Sequence, residues 1–306
     1  MSIGSAARCS PEVGKVVEPQ ADYPLARLTT VRAGGAAEHF ARAGSGRELR
    51  GLLEWARERD LDVHVLGSGS NLLVADAGVR GLVIKLERDL ARIEPDGAGL
   101  CVGGGARLPA VAARAAALGL AGIEFGVNIP GTVGGAVRMN ANAYDGALAD
   151  VLDWVEIVTV EGVTRRRPGE LGFAYRSSAL AASEIVARAR FTLAPAAPEA
   201  VRATLAALRE RRHEAQPKGI KTFGSTFKNP PGHSAWELLL AAGVSDLAVG
   251  DARFSPQHAN FVENAGGATT SEIIELMAAA RERVRVRFGI SLEPEVALLG
   301  EVRFPW

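Results

Sequence analysis

The sequence predicts a mixed α+β protein of two domains behind a loose N-terminal arm. Helical segments with recognisable caps alternate with short β-branched runs, the runs are separated by Gly, Asp and Pro turns, and no internal repeat is present. With 306 residues, 47% of them apolar and 23% charged, the chain can bury a sizeable core. Lys+Arg and Asp+Glu both total 35, so no net field draws it to nucleic acid or to an anionic membrane, and any anion it binds is held by a local site. The N-terminus lacks the apolar core of a signal peptide and no run is apolar long enough to span a bilayer, which places the chain in the cytoplasm. Two cysteines, Cys9 and Cys101, make neither a disulfide framework nor a zinc cage and read as free thiols.

Residues 1–22 are polar and mixed, which reads as a flexible arm, with regular structure expected from about Leu25. Ser45 and Glu48 form a capping box ahead of Leu49, Leu52, Leu53 and Ala56 at helical spacing, and the β-rich run 63–66 follows. Strands are expected within 82–102, 151–160 and 184–193, with an alanine-rich helix over 108–118. The stretch 194–198 reads as a linker, a helix over about 199–214 comes next, and QPKGIK after it has no periodicity. The domains are therefore expected at 23–195 and 196–306. Thr269 and Glu272 make a second capping box, after which Ile273, Leu276, Met277, Ala280, Val284 and Phe288 mark one buried face, with Gly289 as the stop.

Two glycine-rich loops stand out. In VHVLGSGSNLLV, Gly67, Gly69 and Asn71 follow a strand, where missing β-carbons let backbone N–H groups converge on a phosphate; a plain tight turn is the other reading. Leu72 occupies the place of the third glycine of a dinucleotide fingerprint, and no loop ends in the Lys-Ser/Thr of a P-loop, so both of those folds are disfavoured. The second loop, GVNIPGTVGGAVRMNANAYDG, holds Pro130, Gly131, Gly134 and Gly135 beside Thr132, another small-residue surface open to a flat or anionic ligand. Two such loops in one domain favour a large phosphorylated cofactor.

Several segments carry chemistry. TFGSTFKNP sets Ser225 after a glycine with Lys228 and Asn229 close behind, able to present a hydroxyl, an ammonium and an amide to one substrate, or simply to satisfy its own backbone. YRSS places Arg176 where it suits a carboxylate or enolate, or a surface ion pair. In SLEPEVALLG, an extended backbone puts Glu293 and Glu295 on one face. Arg209, Arg211, Arg212, Lys218 and Lys221 form a basic cluster that either receives a diphosphate or is a solvated face. Among the five histidines no metal-ligand spacing occurs, and His258 in SPQHANF is the one of interest.

Taken together, TTVRAGG (29–35), LGSGSNLLV (66–74), IPGTVGGAVRMN (129–140), AYRSS (174–178), GSTFKNP (224–230), HANFVEN (258–264) and LEPEV (292–296) resemble the UDP-N-acetylenolpyruvoylglucosamine reductase (MurB) family, in family order over about residues 25–300. The resemblance implies an FAD-binding domain of the vanillyl-alcohol-oxidase (PCMH) type followed by a smaller α+β substrate-binding domain, tightly bound FAD, and NADPH as co-substrate. It implies reduction of UDP-N-acetylglucosamine enolpyruvate to UDP-N-acetylmuramate, with hydride to C3 and a proton to C2, for peptidoglycan synthesis; a monomer is the default expectation. By position, Ser225 matches the proton donor, Arg176 and Glu295 match the pair that stabilises the enolate-like intermediate, and Asn229 and His258 fall where substrate is touched. FAD contacts are expected from Gly67, Ser68, Gly69, Ser70 and Asn71 around the pyrophosphate. Ile129, Pro130, Gly131, Thr132, Gly134 and Gly135 are expected near the isoalloxazine.

The chain departs from the family's pattern at three positions. Asn142 stands for a usual glycine in Asn140-Ala141-Asn142, where tolerance of left-handed dihedrals is expected to preserve the turn. Asp251 and Ser68 also replace common glycines. No insertion carrying an extra substrate-covering tyrosine lies between Arg176 and Ser225, which matches the family's shorter type. The nearest rival is an FAD-dependent oxidase or dehydrogenase of the same fold acting on a small alcohol or hydroxy acid, against which GSTFKNP and LEPEV argue. A non-catalytic protein of the same fold that binds a nucleotide sugar or another protein is the other, against which the full set of Ser225, Arg176 and Glu295 argues.

Overall fold

A computed structural model of the chain describes residues 17–217 and 219–306; Cys9, Lys218 and most of the expected arm lie outside the described residues. The capping signals are realised. In α1 (Gly46–Arg57) the Ser45 hydroxyl accepts from Glu48 N–H and the Glu48 carboxylate reaches back to Gly44 N–H at 2.7 Å. Leu49, Leu52, Leu53 and Ala56 are buried against a four-stranded sheet in the order Gln20–Pro24, Ala36–Ala43, Val79–Leu86, Val63–Val65. A second, five-stranded antiparallel sheet runs Val163–Arg166, Leu152–Val158, Ile185–Thr192, Gly99–Gly103, Ile93–Pro95. It carries α2 (Leu108–Ala117), whose Leu108, Val111, Ala112, Ala115 and Ala116 are buried, and the short α3 (Val133–Arg138) and α4 (Leu148–Val151).

Regular structure begins earlier than expected. Gln20–Pro24 is an antiparallel edge strand against Ala36–Ala43, with the Tyr23 ring stacked on Phe40 at 4.1 Å, so the arm expected over 1–22 ends inside it. Its residues are mostly exposed, which is why no alternation announces it. The expected boundary at 195/196 also moves. Ala194–Pro195 pairs with Leu120–Ala121, and α5 (Pro198–Ala215) buries Val201 and Leu205 in the core that α2 serves. The packing divides after α5, since an apolar helix face follows its partner rather than the proline-rich run before it.

The second unit packs α6 (Ala235–Ala241) and α7 (Thr270–Phe288) on a three-stranded sheet, Ala248–Val249, Ala252–Phe254 and Val262–Asn264. Thr269 and Glu272 cap α7 reciprocally and Gly289 ends it at φ +71°, as expected. Phe288, expected inside, is 39% exposed at the last turn, while Ile274 joins the buried face. The unit is stitched back to the first one. Val31, Ala33 and Leu73 enter its core, and the strand Ala297–Leu299 pairs in parallel with Leu72–Val74. Asp76 accepts from Thr270 N–H at 2.8 Å and from Ser271 N–H at 2.9 Å, anchoring the start of α7.

One buried amide holds the second unit's central turn. Asn260 accepts from Phe227 N–H and donates to Phe227 carbonyl, each at 2.9 Å, while its own carbonyl accepts from Thr226 N–H at 2.8 Å. Asn260→Ala leaves both Phe227 groups buried without partners, a loss of about 2–4 kcal/mol by the usual cost of such groups. Urea unfolding measures it, and an unchanged midpoint would show that water replaces the amide.

Candidate active site

The glycine loops expected from the sequence touch one another. Gly69 has φ +62°, and a β-carbon there would stand 2.2 Å from Leu28 carbonyl oxygen, so only glycine fits. Its carbonyl accepts from Thr30 N–H at 3.0 Å, and the Thr30 hydroxyl lies 2.6 Å from Thr222 carbonyl oxygen, tying the loop to the approach of Ser225. A β-carbon at Gly67 would meet Thr132 Oγ1 at 2.6 Å. Thr132 in turn caps α3 by accepting from Gly135 N–H. A third glycine segment, not foreseen, joins them: Gly134 N–H donates to Gly104 carbonyl and Leu108 N–H to Gly131 carbonyl. The resulting cavity is lined by Gly67, Gly104, Gly105, Thr132, Gly134 and Gly135, with Lys85, Arg138 and Glu184 as its charged groups. The glycine stretches let a phosphorylated or flat ligand approach the backbone closely, while Leu66, Leu86, Ile185 and Val186 supply apolar side chains to the same cavity. Ser68 and Ser70 are half-buried on the same loop, Ile129 packs against the core, and Pro130 faces a neighbouring cavity.

Across from this loop lie the three residues expected to do chemistry. Thr226 carbonyl accepts from Glu295 N–H at 2.9 Å, which sets Ser225 and Glu295 on adjacent extended segments; Ser225 itself faces Phe261 in an antiparallel bridge. The Glu295 carboxylate sits 2.8 Å from Arg176 Nε, and Arg176 Nη1 donates to Asn142 Oδ1 at 3.0 Å and to its carbonyl at 3.2 Å. Nε–H and carboxylate are close but not aligned, so this buried N–H has no hydrogen-bond acceptor. Arg176 also takes φ +56°, a conformation that costs a non-glycine residue energy and clusters at functional sites. Burial pushes the Glu295 carboxyl above the usual carboxylate range, against the opposing pull of Arg176 and then Lys228. Glu293, expected on the same face, is exposed and instead contacts Lys228 at 3.4 Å.

Asn229 is exposed and its Oδ1 accepts from Ala235 N–H at 2.9 Å, bracing the loop ahead of α6. His258 packs edge-on to Phe261 with ring centroids 4.5 Å apart, and its Nδ1 accepts from Asn260 N–H, which leaves the neutral ring's proton on Nε2. Burial lowers its pKa, so the ring is neutral at pH 7. The basic cluster separates. Arg209 and Arg212 line a cavity of about 440 Å³ with Arg107, His213, Asn128 and Pro130, whereas Arg211 stacks over Tyr144 and Lys221 donates to Gly266 carbonyl. Among the described residues no three of His, Cys, Asp and Glu converge as metal ligands. Cys101 is a half-buried free thiol whose pKa burial raises.

The departures are accommodated in distinct ways. Asn142 does not adopt a left-handed conformation; Asn140 does, at φ +41°, and Asn142 lies in a short strand where its side chain grips Arg176. The expectation for Asn142 rested on dihedral tolerance, and the structure replaces it with a side-chain contact. Asp251 accepts from Gly267 N–H at 2.8 Å. Among the described residues five buried polar atoms lack partners: Arg176 Nε, Ser178 Oγ and Thr226 Oγ1 on the segments that carry Arg176 and Ser225, Asn140 Oδ1 beside Asn142, and Gln216 Oε1 after α5.

Comparison with known proteins matches an N-terminal and a C-terminal part of the chain to two different family models. Residues 37–166 match the FAD binding domain family, and residues 216–299, starting where α5 ends, match the UDP-N-acetylenolpyruvoylglucosamine reductase C-terminal domain family. A UDP-N-acetylenolpyruvoylglucosamine reductase from an Anaeromyxobacter species is 45% identical over 280 residues, covering 92% of this chain and 88% of the relative. Another, from Symbiobacterium thermophilum, is 45% identical over 285 residues and covers 92% of each. The crystal structure of UDP-N-acetylenolpyruvylglucosamine reductase (MurB) from Thermus caldophilus is similar with a TM-score of 0.81 at 37% identity, covering 92% of this chain and 99% of that one.

Replacing Arg176 by methionine removes the first of the two cations that hold the Glu295 carboxyl down. Its titration, followed by carboxyl-carbon NMR, is expected to move to higher pH. A titration that stays in place would mean that the 2.8 Å pair does not persist in solution.

Proposed function

The chain belongs to the UDP-N-acetylenolpyruvoylglucosamine reductase family, and we propose that Ser225, Arg176 and Glu295 carry the proton-transfer half of that family's reaction in it. The reaction is the NADPH-dependent reduction of UDP-N-acetylglucosamine enolpyruvate to UDP-N-acetylmuramate with FAD as cofactor, a step of peptidoglycan precursor synthesis. FAD, when bound, would supply the hydride chemistry that links NADPH to C3 of the enolpyruvyl group. We assign it to the cavity between the glycine segments, held by Gly67, Ser68, Gly69, Ser70 and Asn71 on one side. Thr132, Gly134 and Gly135 face it on the other, and Ile129, Pro130 and Gly131 lead into that wall along the same loop. The carboxyl and phosphate groups of the substrates have separate cations, Arg176 for the former and Arg107, Arg209 and Arg212 for the latter. No helix among the described residues is long and apolar enough to cross a membrane. We propose a cytoplasmic monomer, in keeping with substrates that are soluble nucleotides.

The observation that carries the catalytic reading is the Arg176–Glu295 pair at 2.8 Å on the segment that runs beside Ser225. Adding hydride to C3 leaves negative charge on C2 and the adjoining carboxylate, and a guanidinium with an unpaired buried N–H is placed to hold it. Ser225 Oγ then gives its proton to C2. A serine hydroxyl is a weak acid, so the proton must be replaced as it leaves, and Glu295, whose burial favours the protonated form, replaces it. Water returns the proton to Glu295 at the end of the cycle. Asn229, through its amide N–H₂, and His258, through Nε2–H, are donors left for the substrate.

Ser225→Ala is expected to leave anaerobic bleaching of the flavin absorbance by NADPH unchanged and to slow its return on adding UDP-N-acetylglucosamine enolpyruvate by about 100-fold or more, the usual worth of a positioned acid. Recovery at the unmodified rate would remove Ser225 from the mechanism. Unmodified protein that takes up no FAD would remove the flavin reading itself.

A further inference from the structure

The cavity between the glycine segments contains three charged side chains, and two are already satisfied by the protein. Arg138 donates to the carbonyls of Leu180, Ala181 and Glu184 at 2.8–3.1 Å. Glu184 accepts from Ala181 N–H at 2.8 Å and is ion-paired with Arg166. Lys85 differs. It is half-buried on the strand Val79–Leu86, and its one hydrogen bond is from Nζ to the carbonyl of Gly67 at 2.7 Å, at the start of the first glycine loop. Glu87, whose field reaches Lys85, is ion-paired with Arg42, while Arg42 and Arg107 both oppose the ammonium's charge. Among the described residues no carboxylate lies within ion-pair distance of it.

A half-buried ammonium with three donors and a single neutral acceptor pays for its dehydration without compensation from the protein, and burial lowers its pKa accordingly. An anion in the cavity supplies what is missing. We propose that Lys85 is the counter-charge for the diphosphate of the dinucleotide bound in this cavity, placed there by the Gly67 carbonyl. This rests on the assignment of FAD to the cavity. The backbone N–H groups and the Ser68 and Ser70 hydroxyls of the loop carry partial charges only; Lys85 adds a full one. Its hydrogen bond to Gly67 also fixes the ammonium against the very loop that lies along the ligand, so the charge does not have to be ordered when the ligand arrives.

Lys85→Gln and Lys85→Arg separate charge from bracing, since glutamine keeps an N–H donor for Gly67 and arginine keeps both donor and charge. Deflavinated protein is titrated with FAD and binding is read from quenching of flavin fluorescence, with the melting temperature of each apoprotein confirming that it is folded. Lys85→Gln is expected to raise the Kd for FAD about tenfold, the difference between a charge-assisted and a neutral hydrogen bond, and to flatten its dependence on ionic strength; Lys85→Arg is expected to stay within a few-fold of the unmodified protein. A Gln variant that binds as tightly as the unmodified protein, or equal losses in both variants, would show that the amine only braces the loop and overturn the proposal. If the unmodified apoprotein takes up no FAD, the assignment of the cavity fails first, and that result is distinguishable because it does not depend on Lys85.

Discussion

The site depends on the chain's last strand returning to its first glycine loop. Asn71 makes this junction from both ends of its residue: its side-chain amide donates to the Glu295 carbonyl at 3.2 Å, and its backbone carbonyl accepts from Ala297 N–H at 3.2 Å. The parallel pairing of Ala297–Leu299 with Leu72–Val74 continues the contact. Glu295 therefore stands on a segment held on one flank by the first unit and on the other by Thr226 of the second. A carboxyl acid fixed by backbone on two sides keeps its position relative to both the loop and Ser225, and effective proton transfer needs that fixed separation.

Once the strand is in place, electrostatics sets the rest. Burial favours a neutral Glu295 and the Arg176 guanidinium opposes that, so the carboxyl's state depends on the pair. The Asn142 carboxamide oxygen and carbonyl hold the far end of the guanidinium, so Arg176 is held between two hydrogen-bond acceptors of Asn142 and the ion-paired Glu295 carboxylate. Its left-handed backbone is the cost of this placement, tolerated because three contacts define the side chain.

Local signals were legible in the sequence and long-range pairings were not. The Ser45 and Thr269 caps and the Gly289 stop involve residues within a few positions of one another, so the string contains them whole. The glycine loops were legible as loops, and the seven blocks brought Ser225, Arg176 and Glu295 into view together. The segment Gly103–Gly104–Gly105 was not, because a glycine run after a strand reads as a turn until Gly134 is seen to bond to it across the domain. The edge strand Gln20–Pro24 had no apolar alternation to betray it, and the allegiance of α5 is decided by α2, some ninety residues earlier in the chain. Asn142 shows the same limit at the site. Its identity suggested a backbone role, and only its distance to Arg176 reveals the side-chain role.

The departure at Asn142 bears on how the two halves of the site are coupled. A glycine at this position would offer Arg176 the backbone carbonyl alone; the carboxamide adds a second acceptor on the same Nη1 and draws the guanidinium toward the strand Asn142–Ala143. That strand follows Asn140, whose amide donates to Ala174 carbonyl at 3.2 Å and so clasps the turn that carries Arg176. Since Asn140, Asn142 and α3 are continuous in sequence with the second glycine loop, a displacement of that loop moves the acceptors of Arg176 with it. Arg176 in turn faces Glu295, which is fixed to the first glycine loop through Asn71. Arg176 and Glu295 are thus referenced to both loops through hydrogen bonds and an ion pair, and the geometry of the cavity and the geometry of the pair are set by the same contacts.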